Sequence, residues 1–184
     1  MSFTQYDLNK IEFKNEKAFL SNMYPAPIRF DTYGIVNDIQ DVELTNLIYP
    51  SSEHLYQALK CKDIRWHKIL LENLNPHSTK AKARKMLRFT GTNNISTFLM
   101  REDFHDIKDS IMLMVVYLKF KQNQALADKL LSLDPFEDIQ ERNCWNDTYW
   151  GTVQGEGKNK LGKILMQVRD ILNKEKKIKY LIYI

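Results

Sequence analysis

The chain has 184 residues, with a hydrophobic fraction of 43% and a charged fraction of 27%, the proportions of one ordinary globular domain with a single sizeable core. Its formal net charge of +4 and pI near 8.9 permit anionic ligands such as phosphates without demanding them. Two cysteines, Cys61 and Cys144, do not make a disulfide framework or a metal set in a chain of this size; no basic region followed by an apolar run opens the sequence, and no apolar run approaches the roughly 20 residues that span a bilayer, so a soluble, cytoplasmic protein is expected.

The N-terminal third reads as strand and loop. Ile11-Glu12-Phe13 and Ile28-Arg29-Phe30 suit short strands, with a turn around Asp31 to Gly34. Pro25 and Pro27 keep the intervening segment out of any helix. Residues 37–48 are ambiguous; Val42, Leu44, Leu47 and Ile48 suit another short strand. The pattern becomes helical at Ser51, an N-cap candidate after Pro50, with Glu53 favourably placed in the first turn. Further helices are expected over Asp63 to Leu74 and from the Asn75-Pro76-His77-Ser78 start through Arg84 to Leu87. After a break at Thr90 to Asn94, a long helix covers Asp103 to Gln122 and another Gln124 to Leu133, stopped by Asp134-Pro135. Gly155 and Gly157 lead into a last helix from Asn159 to Lys174, and Ile178 to Ile184 is a late strand or a disordered end. No internal repeat or linker marks a second domain: the expectation is an α+β fold, predominantly helical, with a few short N-terminal strands, one domain over 1–184 with its core at about 13–173.

Four features bear on chemistry, each beside a plainer reading. Glu53, Gln57 and Lys60 share the i, i+4, i+7 spacing of one helix stripe. A half-buried carboxylate there can orient a sugar hydroxyl or act as a base on water; on spacing alone, a surface Glu with an intrahelical contact is the stronger reading. In Trp145-Asn146-Asp147-Thr148-Tyr149-Trp150-Gly151, Asp147 either sets a turn through backbone donors or, beside an indole, serves a base or sugar. The two readings are even. Gly155-Glu156-Gly157-Lys158-Asn159 before a helix suits a phosphate, but is neither a P-loop nor a dinucleotide fingerprint, and a simple glycine-rich connection is the stronger reading. Lys119 follows an apolar run, so its amine either faces inward to an anion or snorkels to solvent. The histidines His54, His67, His77 and His105 lack a metal-binding spacing, and no metal or cofactor is expected.

The order of these pieces is distinctive. Phe19-Leu20-Ser21-Asn22-Met23, Tyr49-Pro50-Ser51-Ser52-Glu53-His54 through Lys60, the helix start from Pro76 to Arg84, Lys119-Phe120, Glu141, Asp147-Thr148-Tyr149-Trp150-Gly151, and Gly157-Lys158-Asn159-Lys160-Leu161-Gly162 with Leu165-Met166 and Arg169 follow one another in the chain. With these residues the sequence resembles the NADAR superfamily and its YbiA-like N-glycosidases, over roughly residues 13–173. The resemblance implies hydrolysis of a ribosyl C1′–N bond, in ADP-ribose joined to guanine of DNA or RNA or in phosphoribosylated riboflavin-pathway intermediates. It also implies catalytic roles for Glu53 and Asp147, and substrate contacts for Ser21, Asn22, Lys60, Arg84, Phe104, Lys119, Trp150, Gly151 and Asn159. Phe104 departs from the family pattern, where a Trp is usual; it keeps a stacking face and loses the indole donor.

The chemistry fits those residue types. Breaking a ribosyl C1′–N bond builds positive charge on the sugar, which a carboxylate stabilises, while lysine and arginine hold phosphate. Two other classes of function compete: a non-catalytic binder of ADP-ribose or ADP-ribosylated nucleic acid, and a general nucleic-acid-binding helical protein, which the modest net charge disfavours. Physiological substrate and oligomeric state are not legible from the residues.

Overall fold

The structure, a computed structural model, describes residues 10–31, 46–88 and 98–182. The expected turn beyond Asp31, the candidate strand at Val42 and Leu44, and the break at Thr90 to Asn94 lie outside them. Helix dominates, and the strands are short and paired only in twos. The chain forms two compact units, Asn22–Gln122 and a discontinuous unit made of Met1–Ser21 with Asn123–Ile184.

The Asn22–Gln122 unit opens on an antiparallel pair, β2 (Ile28–Phe30) against β3 (Leu47–Tyr49), with Ile28 opposite Tyr49. Period-two alternation puts Ile28 and Phe30 inward and Arg29 out. Helix α1 (Ser52–Ala58) follows at once, and every one of its residues is buried. An all-round buried helix so rich in polar side chains must satisfy them internally or present them to a ligand. Helix α2 (Ile64–Leu71) starts where Asp63 accepts the Arg65 N–H at 2.8 Å. It is pinned by Trp66, whose indole N–H donates to the Gln57 carbonyl at 3.0 Å. Helix α3 (Pro76–Met86) has Asn75 as its cap, accepting from the N–H of His77 and Ser78, with Pro76 in the first turn. A two-residue parallel pair, β4 (Leu87–Arg88) and β5 (Phe98–Leu99), precedes α4 (Phe104–Gln122). Leu55, Leu59, Trp66, Leu70, Val115, Val116 and Phe120 are its buried apolar residues, and α1 packs on α2, α3, α4 and β3.

In the other unit β1 (Lys10–Glu12) pairs in parallel with β6 (Asp138–Gln140), and a 3-10 helix at Asn15–Leu20 follows β1. Helix α5 (Gln124–Leu131) and the long α6 (Lys160–Ile182) complete it, α6 packing on β6 and α5. Buried Arg169 of α6 donates to the carbonyls of Asp134 and Pro135 at 3.0 and 3.1 Å, fixing the chain where α5 has ended.

The element order matches the expectation closely. Two boundaries differ. Strands β4, β5 and β6 fall outside the N-terminal third, in two- and three-residue pieces too short to carry a period-two signal. The tail from Ile178, expected as a strand or irregular end, continues α6 to Ile182: Asn173 to Lys179 contains no proline or glycine, and its Lys and Glu residues are good helix formers.

Candidate functional site

The Glu53 stripe is the polar centre of the Asn22–Gln122 unit. Tyr49 ends β3 and Pro50 holds the chain extended, so α1 begins abruptly and Glu53 enters its first turn. Its backbone N–H donates to the Asn22 carbonyl at 3.0 Å. The side chain is only 5% exposed, and Oε1 accepts from Gln57 Nε2 at 2.7 Å, while Oε2 has no hydrogen bond from a described residue. The plainer reading thus holds for the contact and fails for the surface position. Three further buried oxygens on or beside this helix, Asn22 Oδ1, Ser52 Oγ and Gln57 Oε1, have no hydrogen-bond partner among the described residues. Buried polar atoms are rarely left so; clustered around a carboxylate, they describe a surface built for a polar ligand.

Lys60 lies in the turn after α1, with its ammonium 5.2 Å from the Tyr56 ring centroid and 5.3 Å from that of Phe104. The two rings are themselves 5.8 Å apart, so Phe104 supplies an aromatic face at this corner although it is not a Trp. Burial pulls the Lys60 amine down to about 8, against the pull of the Glu53 carboxylate, with Lys80 and Arg84 pushing the same way as burial. Three cations and one carboxylate therefore share a field at the junction of α1 and α3, where Arg84 itself is solvent-exposed. Lys119 does not snorkel. It is fully buried on α4, its amine 5.1 Å from the Phe120 ring and 5.9 Å from that of Tyr24, and burial draws it down to about 7. Asn22 is buried as well, with Nδ2 3.2 Å from the Met112 sulfur.

Two histidines brace this unit. His54 Nε2 lies 2.8 Å from the Asn73 carbonyl and His67 Nε2 3.2 Å from that of Cys61. A carbonyl only accepts, so both rings carry the proton on Nε2 and accept at Nδ1, from the Ser51 hydroxyl at 2.8 Å and the Tyr49 hydroxyl at 2.7 Å. Ser51 is thus the N-cap residue by backbone geometry alone, its hydroxyl facing His54. Burial lowers both imidazoles, His67 to about 4.

In the other unit, Asp147 sets the turn. Its Oδ1 accepts the N–H of Tyr149 at 3.1 Å and of Trp150 at 2.9 Å, while Oδ2 has no hydrogen bond from a described residue. Asn143 brackets the same loop, accepting the Asp147 N–H at 3.1 Å and donating to the Asp147 carbonyl at 2.8 Å. Gly151 has no room for a side chain: a Cβ would run into the Glu141 carbonyl oxygen and the Asn143 amide. The N–H groups of Lys158, Asn159, Lys160 and Leu161 donate to the carbonyls of Thr148, Gly151, Tyr149 and Trp150. Those backbone donors, on which the phosphate reading of the glycine segment rests, hold the Trp150 turn instead, so the plain connection is the correct reading. The Asn159 amide is also engaged, donating to the Ile139 carbonyl at 2.8 Å and accepting the Glu141 N–H at 3.1 Å.

The expected site residues thus fall into two groups. Glu53, Lys60, Arg84 and Phe104 are linked by contact or charge, with Asn22 joined to Glu53 through its backbone; Asp147, Trp150, Gly151 and Asn159 form one hydrogen-bonded turn. Lys119 is on α4, and Ser21 closes the 3-10 helix with its N–H on the Ala18 carbonyl. Gln57, Tyr56, Lys80 and Asn143 were not among the expected site residues. Gln57 was legible as a member of the stripe and Lys80 by being one turn before Arg84 on its helix; nothing local signals Asn143. Among the described residues no three His, Cys, Asp or Glu side chains are placed to share a metal, and no helix is long and apolar enough to cross a membrane.

The comparisons with known proteins agree with this geometry. A family model described as the NADAR domain matches residues 10–173. A riboflavin biosynthesis protein of Vibrio vulnificus is 31% identical over 156 residues, 84% of this chain but 35% of its own length, so the chain spans about a third of that relative. N-glycosidase YbiA of Shigella flexneri is 30% identical over 149 residues, covering 79% of this chain and 86% of that protein. The NMR structure of Escherichia coli YbiA superposes with a TM-score of 0.68 at 26% identity, covering 91% of this chain and 87% of that one. Carrying its motifs over nearly its whole length on a mostly helical α+β fold, the chain belongs to the NADAR family.

Proposed function

We propose that the chain is an N-glycosidase that hydrolyses the C1′–N bond of a substrate bearing a ribose phosphate. The observation that carries the reading is the buried Glu53 carboxylate, fixed through one oxygen by Gln57 and unbonded at the other, beside a cluster of cations. As the C1′–N bond breaks, its electron pair leaves with the base and positive charge spreads over C1′ and the ring oxygen. Glu53 is the group that stabilises this charge and receives a proton from the attacking water as oxygen bonds to C1′. Lys60 and Arg84 are assigned to the phosphate, with Lys119, Asn22 and Ser21 as further substrate contacts. In the other unit Asp147 is assigned to ribose hydroxyls or to the water, and Trp150, half-buried, to stacking, with Gly151 and Asn159 shaping the turn. No step needs a cofactor.

The finer reading is that the sugar is ADP-ribose on guanine of a nucleic acid, or the phosphoribosyl group of a riboflavin-pathway intermediate. The names of the Shigella and Vibrio relatives support N-glycoside cleavage and the riboflavin connection respectively. Incubation with guanine-ADP-ribosylated DNA and with phosphoribosylated riboflavin precursors, followed by mass analysis, tests it. Release of a free base that is lost in Glu53→Gln is the expected result. Binding of ADP-ribose without base release from any of these substrates would make the chain a binder instead.

A further inference from the structure

Trp145 is a motif residue that the function proposed above does not use. It is 59% exposed, yet its loop is held firmly. The Asn143 side chain hydrogen-bonds both backbone groups of Asp147, closing a five-residue loop around Trp145. Asn146 next to it takes φ +62°, a left-handed turn that Asn tolerates well. At the loop base the Asn143 N–H donates to the Thr152 carbonyl at 2.9 Å and the Thr152 N–H to the Glu141 carbonyl at 2.8 Å. A single exposed apolar side chain needs no explanation. An indole at the apex of a doubly clamped loop is different, because its presentation to solvent is fixed by the backbone.

The surroundings indicate what would cover it. Two residues on, Asp147 orders Tyr149 and Trp150, whose rings meet edge to face at 5.1 Å. Lys158 is tied to this turn by its N–H on the Thr148 carbonyl, and its ammonium lies 5.1 Å from the Tyr149 ring. Arg142 stands three residues before Trp145, exposed although paired with Glu12. Exposed indole interleaved with Lys and Arg is the arrangement that stacks a base while cations take its phosphate.

We propose that Trp145 stacks on the nucleobase of the substrate and selects for a ring-bearing leaving group. The assignment of that base as the leaving group rests on the N-glycosidase reading; the stacking does not. It is tested by calorimetric titration of guanosine 5′-monophosphate and of ribose 5-phosphate into wild-type protein, Trp145→Ala and Trp145→Phe. Trp145→Ala is expected to weaken the nucleotide about tenfold and leave ribose 5-phosphate and the melting temperature unchanged, with Trp145→Phe within about threefold of wild type. Equal weakening of both ligands, or no weakening of the nucleotide, would overturn the proposal. Base release by the wild-type protein is measured in parallel: its absence refutes the N-glycosidase reading, while the nucleotide titration still decides stacking.

Discussion

Gln57 donates to Glu53 across one helical turn, Nε2 to Oε1 at 2.7 Å, inside a helix with no exposed residue. A buried carboxylate held at one oxygen by a neutral amide keeps its orientation without a bound cation to quench it. Two variants separate orientation from charge. Glu53→Gln removes the charge with little change of volume; base release is expected to fall by about 100-fold or more while the fold persists. Gln57→Leu leaves the carboxylate in place but unsteered, and a loss nearer tenfold is expected. Single-turnover rates for both variants, with circular dichroism to verify folding, give the comparison; wild-type turnover in Glu53→Gln would remove Glu53 from the mechanism.

Lys60 makes a prediction in pH. Its amine is lowered to about 8, chiefly by burial, with Lys80 and Arg84 adding to the shift. Below pH 8 it is an ammonium that can hold an anion; above, it becomes a neutral amine. Affinity for ribose 5-phosphate is therefore expected to fall as pH rises through about 8, and to do so less in Lys60→Arg, whose guanidinium keeps its charge throughout this range. A titration between pH 6.5 and 9.5 showing the same slope in both proteins would take Lys60 out of phosphate binding.

Much of this arrangement was legible in the sequence, because it depends on local order. The α1 stripe, the Asn75-Pro76 helix start and the Asp147 turn each lie within a few residues, and the structure places them as expected. What was not legible is contact at long range. That Lys60 rests against Phe104, 44 positions away, or that Asn159 ties itself to Ile139 and Glu141, follows from packing that no periodicity encodes. The glycine segment shows the converse: its residues resembled an anion site, but tertiary hydrogen bonds to the Trp150 turn claim its donors.

His67 should make the fold sensitive to acid. The ring is fully buried between the Tyr49 hydroxyl and the Cys61 carbonyl, and burial lowers it from 6.5 to about 4. Between these values the unfolded chain binds a proton that the folded chain refuses, so stability falls as pH drops from about 6.5 to about 4 and levels off below. The full effect is on the order of 3 kcal/mol, and His54, lowered in the same direction, adds to it. Urea unfolding across this range is expected to show the slope, flattened in His67→Gln. A slope unchanged by that substitution would assign the acid sensitivity elsewhere.

Asp147 holds two roles that chemistry can separate. Its Oδ1 caps the N–H groups of Tyr149 and Trp150, a task any side-chain carbonyl performs; its Oδ2 has no such duty among the described residues. Asp147→Asn retains the capping oxygen and discards the charge, whereas Asp147→Ala leaves two N–H groups unpaired at a cost of about 1–3 kcal/mol each where they are shielded from water. The Ala variant is therefore expected to melt lower and lose activity through a displaced Trp150. The Asn variant should melt like the wild type, and a fall in turnover of about tenfold or more would place the carboxylate charge in the reaction. Wild-type turnover in Asp147→Asn, alongside the lower melting of Asp147→Ala, would confine Asp147 to building the turn and leave Glu53 as the acting carboxylate.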